Sequence, residues 1–264
     1  MTAAALTHRP PRRRNNLGLV VHQIGYEQLS FWRNPQSAVF TFVFPVLFVT
    51  IIGALFGSVG KSSYFGGLTA LQYYVPTIAA LSVLGSCYGQ LAVALAVRRQ
   101  NGILKRVRAT PLPAWGYFCG LLAHCVLVSL IDIVLIVGVG RLYGVPFPSQ
   151  WLAITLTLVF GAASFCALGV AVASVISNAE AAPAVAQLVL FPLLFLSGTY
   201  VPIHSQLLNR TAGWLPVQPF NEALTGPLSR HTGPDWRELA VLAAWGMAGA
   251  VVAVRRFRWD PRPE

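Results

Sequence analysis

Residue types able to do chemistry are scarce in this sequence. Two ionisable side chains, His124 and Asp132, stand inside long apolar runs, and both fall in the same run. An imidazole and a carboxyl group in such surroundings could pass a proton, and charge is costly there unless it is used or paired. They lie eight residues apart, about 80° of arc on a helix of 3.6 residues per turn, and a proton relay needs more partners than two. A role in transport and a locally paired structural role both stay open. Gly60-Lys61-Ser62 looks like the tail of a phosphate-binding loop, but the full pattern requires a glycine where Leu55 stands and a strand–loop–helix setting. It reads as a chance match. Cys87, Cys119, Cys125 and Cys166 all fall in apolar runs without CxxC spacing, which supports neither a zinc site nor a disulfide framework. They read as small apolar filler. No catalytic set, cofactor site or metal site is expected of the chain itself.

The strongest feature is the basic stretch at residues 98–113, RRQNGILKRVRATPLP. Arg98, Arg99, Lys105, Arg106 and Arg108 place five cations within eleven residues, and Pro111 and Pro113 close the stretch. A scatter of cations would satisfy membrane topology alone. Here Ile103, Leu104 and Val107 are interleaved with them, so a short amphipathic helix can form between Gly102 and Thr110. Such a helix offers charge and apolar knobs to a groove in a cytoplasmic partner.

The elements around this stretch are those of a membrane protein. The chain has 264 residues, 55% hydrophobic and 10% charged, where ordinary globular domains carry about a quarter charged residues. Its net charge of +11 sits between apolar runs, which reads as topology rather than as a nucleic-acid face. Residues 1–16 form a basic, disordered tail; Arg12, Arg13 and Arg14 resemble a twin-arginine signal, but the apolar core and cleavage site that a signal needs do not follow. Residues 17–34 read as an amphipathic helix at the membrane surface, with Leu17, Val20, Val21, Ile24 and Phe31 on its apolar stripe and His22, Gln23, Glu27 and Ser30 on other faces. Six spans follow, at about residues 37–56, 73–97, 115–139, 151–175, 181–201 and 239–254, each near the ~20 residues that cross a bilayer. Residues 259–264 are a short tail. Pro183 and Pro192 interrupt the fifth span, and Pro192, Ser197, Gly198 and Pro202 mark a broken, gate-like or substrate-near region, since irregular backbone survives in a membrane only where protein or a cavity satisfies it. Gly53/Gly57, Gly85/Gly89, Gly116/Gly120 and Gly140/Gly144 form GxxxG pairs suited to close helix packing.

Orientation follows from the cations. With the N-terminus inside, the inner segments hold fourteen: Arg9, Arg12, Arg13, Arg14 and Arg33, the five of the central stretch, and Arg255, Arg256, Arg258 and Arg262. The outer segments hold five: Lys61, Arg141, Arg210, Arg230 and Arg237. Both termini are expected in the cytoplasm. Seventeen arginines against two lysines point to a GC-rich bacterial genome, hence a bacterial plasma (inner) membrane.

Three stretches carry a family resemblance: Arg33-Asn34-Pro35 before the first span, residues 101–113 after the second, and Phe195-Leu196-Ser197-Gly198-Thr199-Tyr200-Val201-Pro202 at the end of the fifth. Over about residues 18–258 the chain resembles the membrane subunit of ABC type-2 exporters, nearest to the daunorubicin-resistance-like drug and lipid exporters. The resemblance implies an all-α, six-span permease with a surface helix and short re-entrant outer helices between spans five and six. It implies pairing with a second permease copy or a homologous permease, and with two copies of a cytoplasmic ABC ATPase that holds ATP and Mg. The ATPase contacts map onto the surface helix (Ile24, Glu27, Phe31, Arg33) and the first cytoplasmic loop (Arg98, Arg99, Gly102, Leu104, Lys105, Arg106, Arg108, Thr110). Asn209-Arg210-Thr211 and the prolines near Trp214 depart from the family pattern, so detailed gate contacts do not carry over.

The expected activity is ATP-driven export of a hydrophobic or amphipathic compound, a drug, antibiotic or lipid, with membrane lipid in contact and no nucleic acid. Two rivals stand beside it. One is export of a polysaccharide or lipid-linked glycan; the other is an accessory or sensory membrane protein that needs no ATPase.

Overall fold

The computed structural model describes residues 16–197 and 210–257, and among these every regular element is helical. Helix α1 spans Asn16–Trp32 and α2 spans Pro35–Phe56. Asn34 separates them, its side chain accepting from the Ser37 N–H at 3.4 Å. Pro35 occupies the first turn of α2, where a missing N–H costs nothing. Helix α3, Ala70–Gln100, opens with a capping box between Thr69 and Gln72 and widens into a π-helical segment at Gly85–Gln90. Then follow α4 (Ile103–Arg108), α5 (Ala114–Leu142), α6 (Trp151–Val175), α7 (Ala182–Leu196), α8 (Val217–Thr225) and α9 (Trp236–Arg256). The Asp235 carboxylate caps α9 by accepting from the Arg237 and Glu238 N–H groups.

Five of these helices, α2, α3, α5, α6 and α9, are long and apolar enough to cross a membrane, at 22, 31, 29, 25 and 21 residues. At 1.5 Å per residue each exceeds the ~30 Å hydrocarbon core. The fourth span has the bounds read from the sequence. The second runs further, to Gln100, so Arg98 and Arg99 belong to the end of a helix rather than to a loop. The last also begins earlier, at Trp236, because its cap is Asp235. Helix α7 is apolar, but its 15 residues cover about 22 Å, less than a crossing. Gly198 and Pro202, the outer part of the fifth span and both chain tails lie outside the described residues.

Helix α6 is the central post. It packs most extensively against α9 and also touches α3, α5 and α8, while α1 packs on α5. Helix α8 is short but buried along most of its length; Asn221 meets Thr77 of α3 at 3.2 Å, and Phe220 stands edge-on to Phe165 of α6. Helix α2 leaves Phe40, Phe44, Phe48, Ile51 and Leu55 exposed, a face that water would not tolerate in this density but lipid does.

Helix α1 presents a different inner face from the one its hydrophobic stripe suggests. Leu17, Val21, Leu29 and Trp32 are exposed, whereas Glu27 is buried and Gln23 half-buried. The face turned to the bundle is Val20, Gln23, Ile24, Glu27 and Phe31, a helical spacing in which two polar residues point inward. Close approach permits it. A Cβ on Gly120 of α5 would meet the Gln23 side chain at 2.6 Å, and one on Gly116 would meet Val20 at 3.2 Å. The Gly116/Gly120 pair thus seats α1 within the chain.

Candidate coupling site

The end of α3 is bound to several elements at once. The Arg98 guanidinium donates to both carboxylate oxygens of Glu27 on α1, at 2.7 and 2.6 Å, and to the Tyr117 hydroxyl on α5 at 3.0 Å. Gln23 Nε2 donates to the same carboxylate at 2.8 Å. A forked guanidinium on a carboxylate is the strong form of ion pair, and Glu27 is almost fully buried. One residue later the Arg99 guanidinium, 3% exposed, donates to the carbonyl of Ala173 at 3.0 Å and to that of Ile176. These are carbonyls that the end of α6 leaves unpaired, and a cation there also meets the negative end of the helix dipole. Gln100 then accepts from the Ala179 N–H at 2.7 Å in the turn before α7. The last turn of α3 is therefore pinned to α1, α5, α6 and the 176–181 turn.

Helix α4 hangs from this node. Gly102 has φ +68°, a left-handed conformation that reverses the chain and that a side chain would strain. Helix α4 follows with Leu104 fully buried in the main core and Val107 packed against it. Lys105, Arg106 and Arg108 are exposed, as is Ile103 at its edge. The Thr110 hydroxyl donates to the Val107 carbonyl at 2.6 Å and closes the helix.

The short basic helix is thus present, but the residues divide. Arg98, Arg99, Leu104 and Glu27 turn inward: the first two donate to internal hydrogen bonds, the third anchors α4, and the fourth pairs with Arg98. Ile24 and Phe31 are half-buried against the bundle, leaving Arg33 exposed on that side. What faces outward from α4 is Lys105, Arg106 and Arg108. Glu27 is the only acidic residue before Asp132, and that isolation was the signal in the sequence for its pairing with a cation.

Above the node lies a cavity of about 630 Å³ between α1, α3, α5 and α7, lined by Glu27, Phe31, Gln90, Arg98, His124 and Gln187 among others. Its wall mixes apolar side chains with many polar ones, the Glu27–Arg98 pair included, and such mixed concave walls are the usual setting of small-molecule sites. His124 faces this cavity, its ring 5.5 Å from that of Phe31, and its Nδ1 has no hydrogen-bond partner among the described residues. Asp132 does not join it. Asp132 is buried against α3, where the Ser82 hydroxyl donates to Oδ2, while Oδ1 is buried without a partner among the described residues. The structure therefore does not assemble His124 and Asp132 into a relay. Pro192 is exposed inside α7, and the Ser197 hydroxyl donates back to the Leu194 carbonyl at 2.8 Å.

Residues 23–227 match the family described as ABC-2 type transporter, a span that holds the node, α4 and the cavity. The chain is 24% identical over 179 residues to the Bacillus subtilis (strain 168) protein named "Putative transport permease YvfS", covering 66% of this chain and 72% of that one.

Proposed function

The chain belongs to the ABC-2 type transporter family and is a multi-pass transmembrane permease, and from that premise we propose that it is the membrane subunit of an ATP-driven exporter of hydrophobic or amphipathic compounds. The observation that carries the reading is the node at the end of α3. An exposed basic helix, α4, is attached through Gly102 to a helix end that is pinned to α1, α5 and α6. A push on α4 cannot be absorbed locally; it moves three helices.

In this reading the end of the bundle that carries α4 lies in the cytoplasm of a bacterial inner membrane, with both termini. Lys105, Arg106 and Arg108 dock into an acidic groove of a partner ATPase, one for each of two permease copies, and ATP and Mg are held by that partner. Closure of the ATPases tilts α4, and the node carries the tilt to α1, α3 and α5 around the cavity. A wall of apolar side chains interspersed with polar and charged ones suits an amphipathic drug-like, antibiotic or lipid cargo, with the apolar part of the cargo on Phe31, Leu121 and Leu190.

The test is co-purification. Lys105→Glu with Arg106→Glu reverses two exposed charges without touching the core. It is expected to release the ATPase from detergent-solubilised complex while the permease keeps its own stability; retention of the ATPase by that variant would remove the docking role from α4.

A further inference from the structure

Three thiols from three helices meet inside the bundle. Cys87 in the π-helical segment of α3, Cys125 on α5 and Cys166 on α6 are all buried, and their Sγ atoms all lie within 4.8 Å of one another. They are about forty residues apart in sequence, so no local spacing announces them. Three sulfurs bound to one metal at about 2.3 Å stand roughly 4 Å from each other, so the cluster needs a contraction of under about 1 Å to close on an ion. The Ser129 hydroxyl, one turn beyond Cys125, lies 3.6 Å from the Cys87 sulfur and can hydrogen-bond a coordinated thiolate, as outer partners of metal ligands do. Access exists from two sides: Cys125 lines the cavity beside His124, and Cys166 lines a groove of about 500 Å³ between α5, α6 and α9.

We propose that Cys87, Cys125 and Cys166 form a binding site for one soft, thiophilic cation, with Cu(I) as the ion the surroundings favour. Sulfur-only donors select soft ions. Zinc in such sites takes four ligands, and among the described residues the cluster brings only three, whereas Cu(I) is satisfied by three sulfurs in a plane. Cysteine ligates as the thiolate, so Cu(I) binding to all three thiols releases three protons, which leave through the cavity. No electron moves in this step, and the site does not depend on what the permease exports.

The test uses the full chain in detergent with Cys119, the exposed thiol, replaced by Ser so that it does not compete. Anaerobic titration with Cu(I) against bathocuproine disulfonate is expected to give one ion per chain. X-ray absorption at the copper edge is expected to show a sulfur-only shell. Each of Cys87→Ser, Cys125→Ser and Cys166→Ser is expected to weaken binding by about tenfold or more. Binding unchanged in the triple variant would overturn the proposal. So would an oxygen or nitrogen shell in the C119S protein itself, a measurement that does not require the other variants to fold. Failure of the freshly reduced C119S protein to take up copper would overturn it as well.

Discussion

At the scale of single residues, the pair Glu27–Arg98 bears the most weight. Replacing Glu27 with Ala leaves a half-buried guanidinium, its side chain 20% exposed, facing Tyr117. Breaking a fully buried pair from one side costs about 3–5 kcal/mol, and the loss here is expected at or below the low end of that range. Unfolding of the detergent-solubilised protein is expected to show that loss. The double variant E27A/R98A is expected to lose less than the sum of the two single ones, since no uncompensated charge remains. Gly102→Ala is the second residue-scale prediction. Its φ of +68° is strained for any residue with a Cβ, at about 1 kcal/mol. Nothing lies within 4 Å of a Cβ built there, so the penalty is conformational. Chain stability is expected to change by that amount, and the angle of α4, read as ATPase stimulation, more strongly. Both residues were visible in the sequence, but their roles were only half visible. Charge spacing marked Arg98 and Arg99 as cations of a turn; that they turn inward follows from helix α3 running three residues past Val97, and Arg99 is buried on carbonyls of α6 that no local pattern could supply.

At the scale of elements, hydrophobic runs and proline positions made the long helices legible. Asn34-Pro35 marks where α2 starts, and residues 151–175 read as a span and form α6 over the same bounds. The inward face of α1 was not legible, because Gln23 and Glu27 break its apolar stripe and become interior only once Gly116 and Gly120 let α1 settle on α5. That seating gives a prediction. Gly120→Leu places a branched side chain where even a Cβ meets Gln23 at 2.6 Å. It is expected to lift α1, expose Glu27 and lower stability by about 1–3 kcal/mol, the usual cost of overpacking. A cysteine at position 24 should then become reactive to a water-soluble maleimide that does not label it in the unsubstituted background. Continued protection would show that α1 is held by something other than the glycine pair. The three-thiol cluster was equally hidden, since its members come from α3, α5 and α6 and only the packing of those helices brings them together.

At the scale of the whole molecule, the bundle has one basic end and a cavity just above it. Cations at that end come from Arg33 just after α1 and from α3, α4 and α9, while Lys61 and Arg141 stand at the other. A cysteine at position 105 is expected to be labelled only after the inner face of the membrane is opened, and one at position 61 from intact cells; the reverse pattern would invert the topology. Spans and charge bias were readable from the chain because a bilayer imposes length and a cation asymmetry on any sequence that crosses it. The cavity was not, since its walls are the mutual spacing of four helices rather than a property of any one.

The most direct measurement is ATP-driven movement of a fluorescent amphipathic compound in proteoliposomes that hold the permease and the ATPase that co-purifies with it. Wild-type protein should transport only with ATP and the partner present. K105E/R106E should transport about tenfold less or worse, the effect of losing roughly 1.4 kcal/mol of docking across two charges. Undiminished transport by that variant, or transport by the permease with no ATPase in the membrane, would contradict the account.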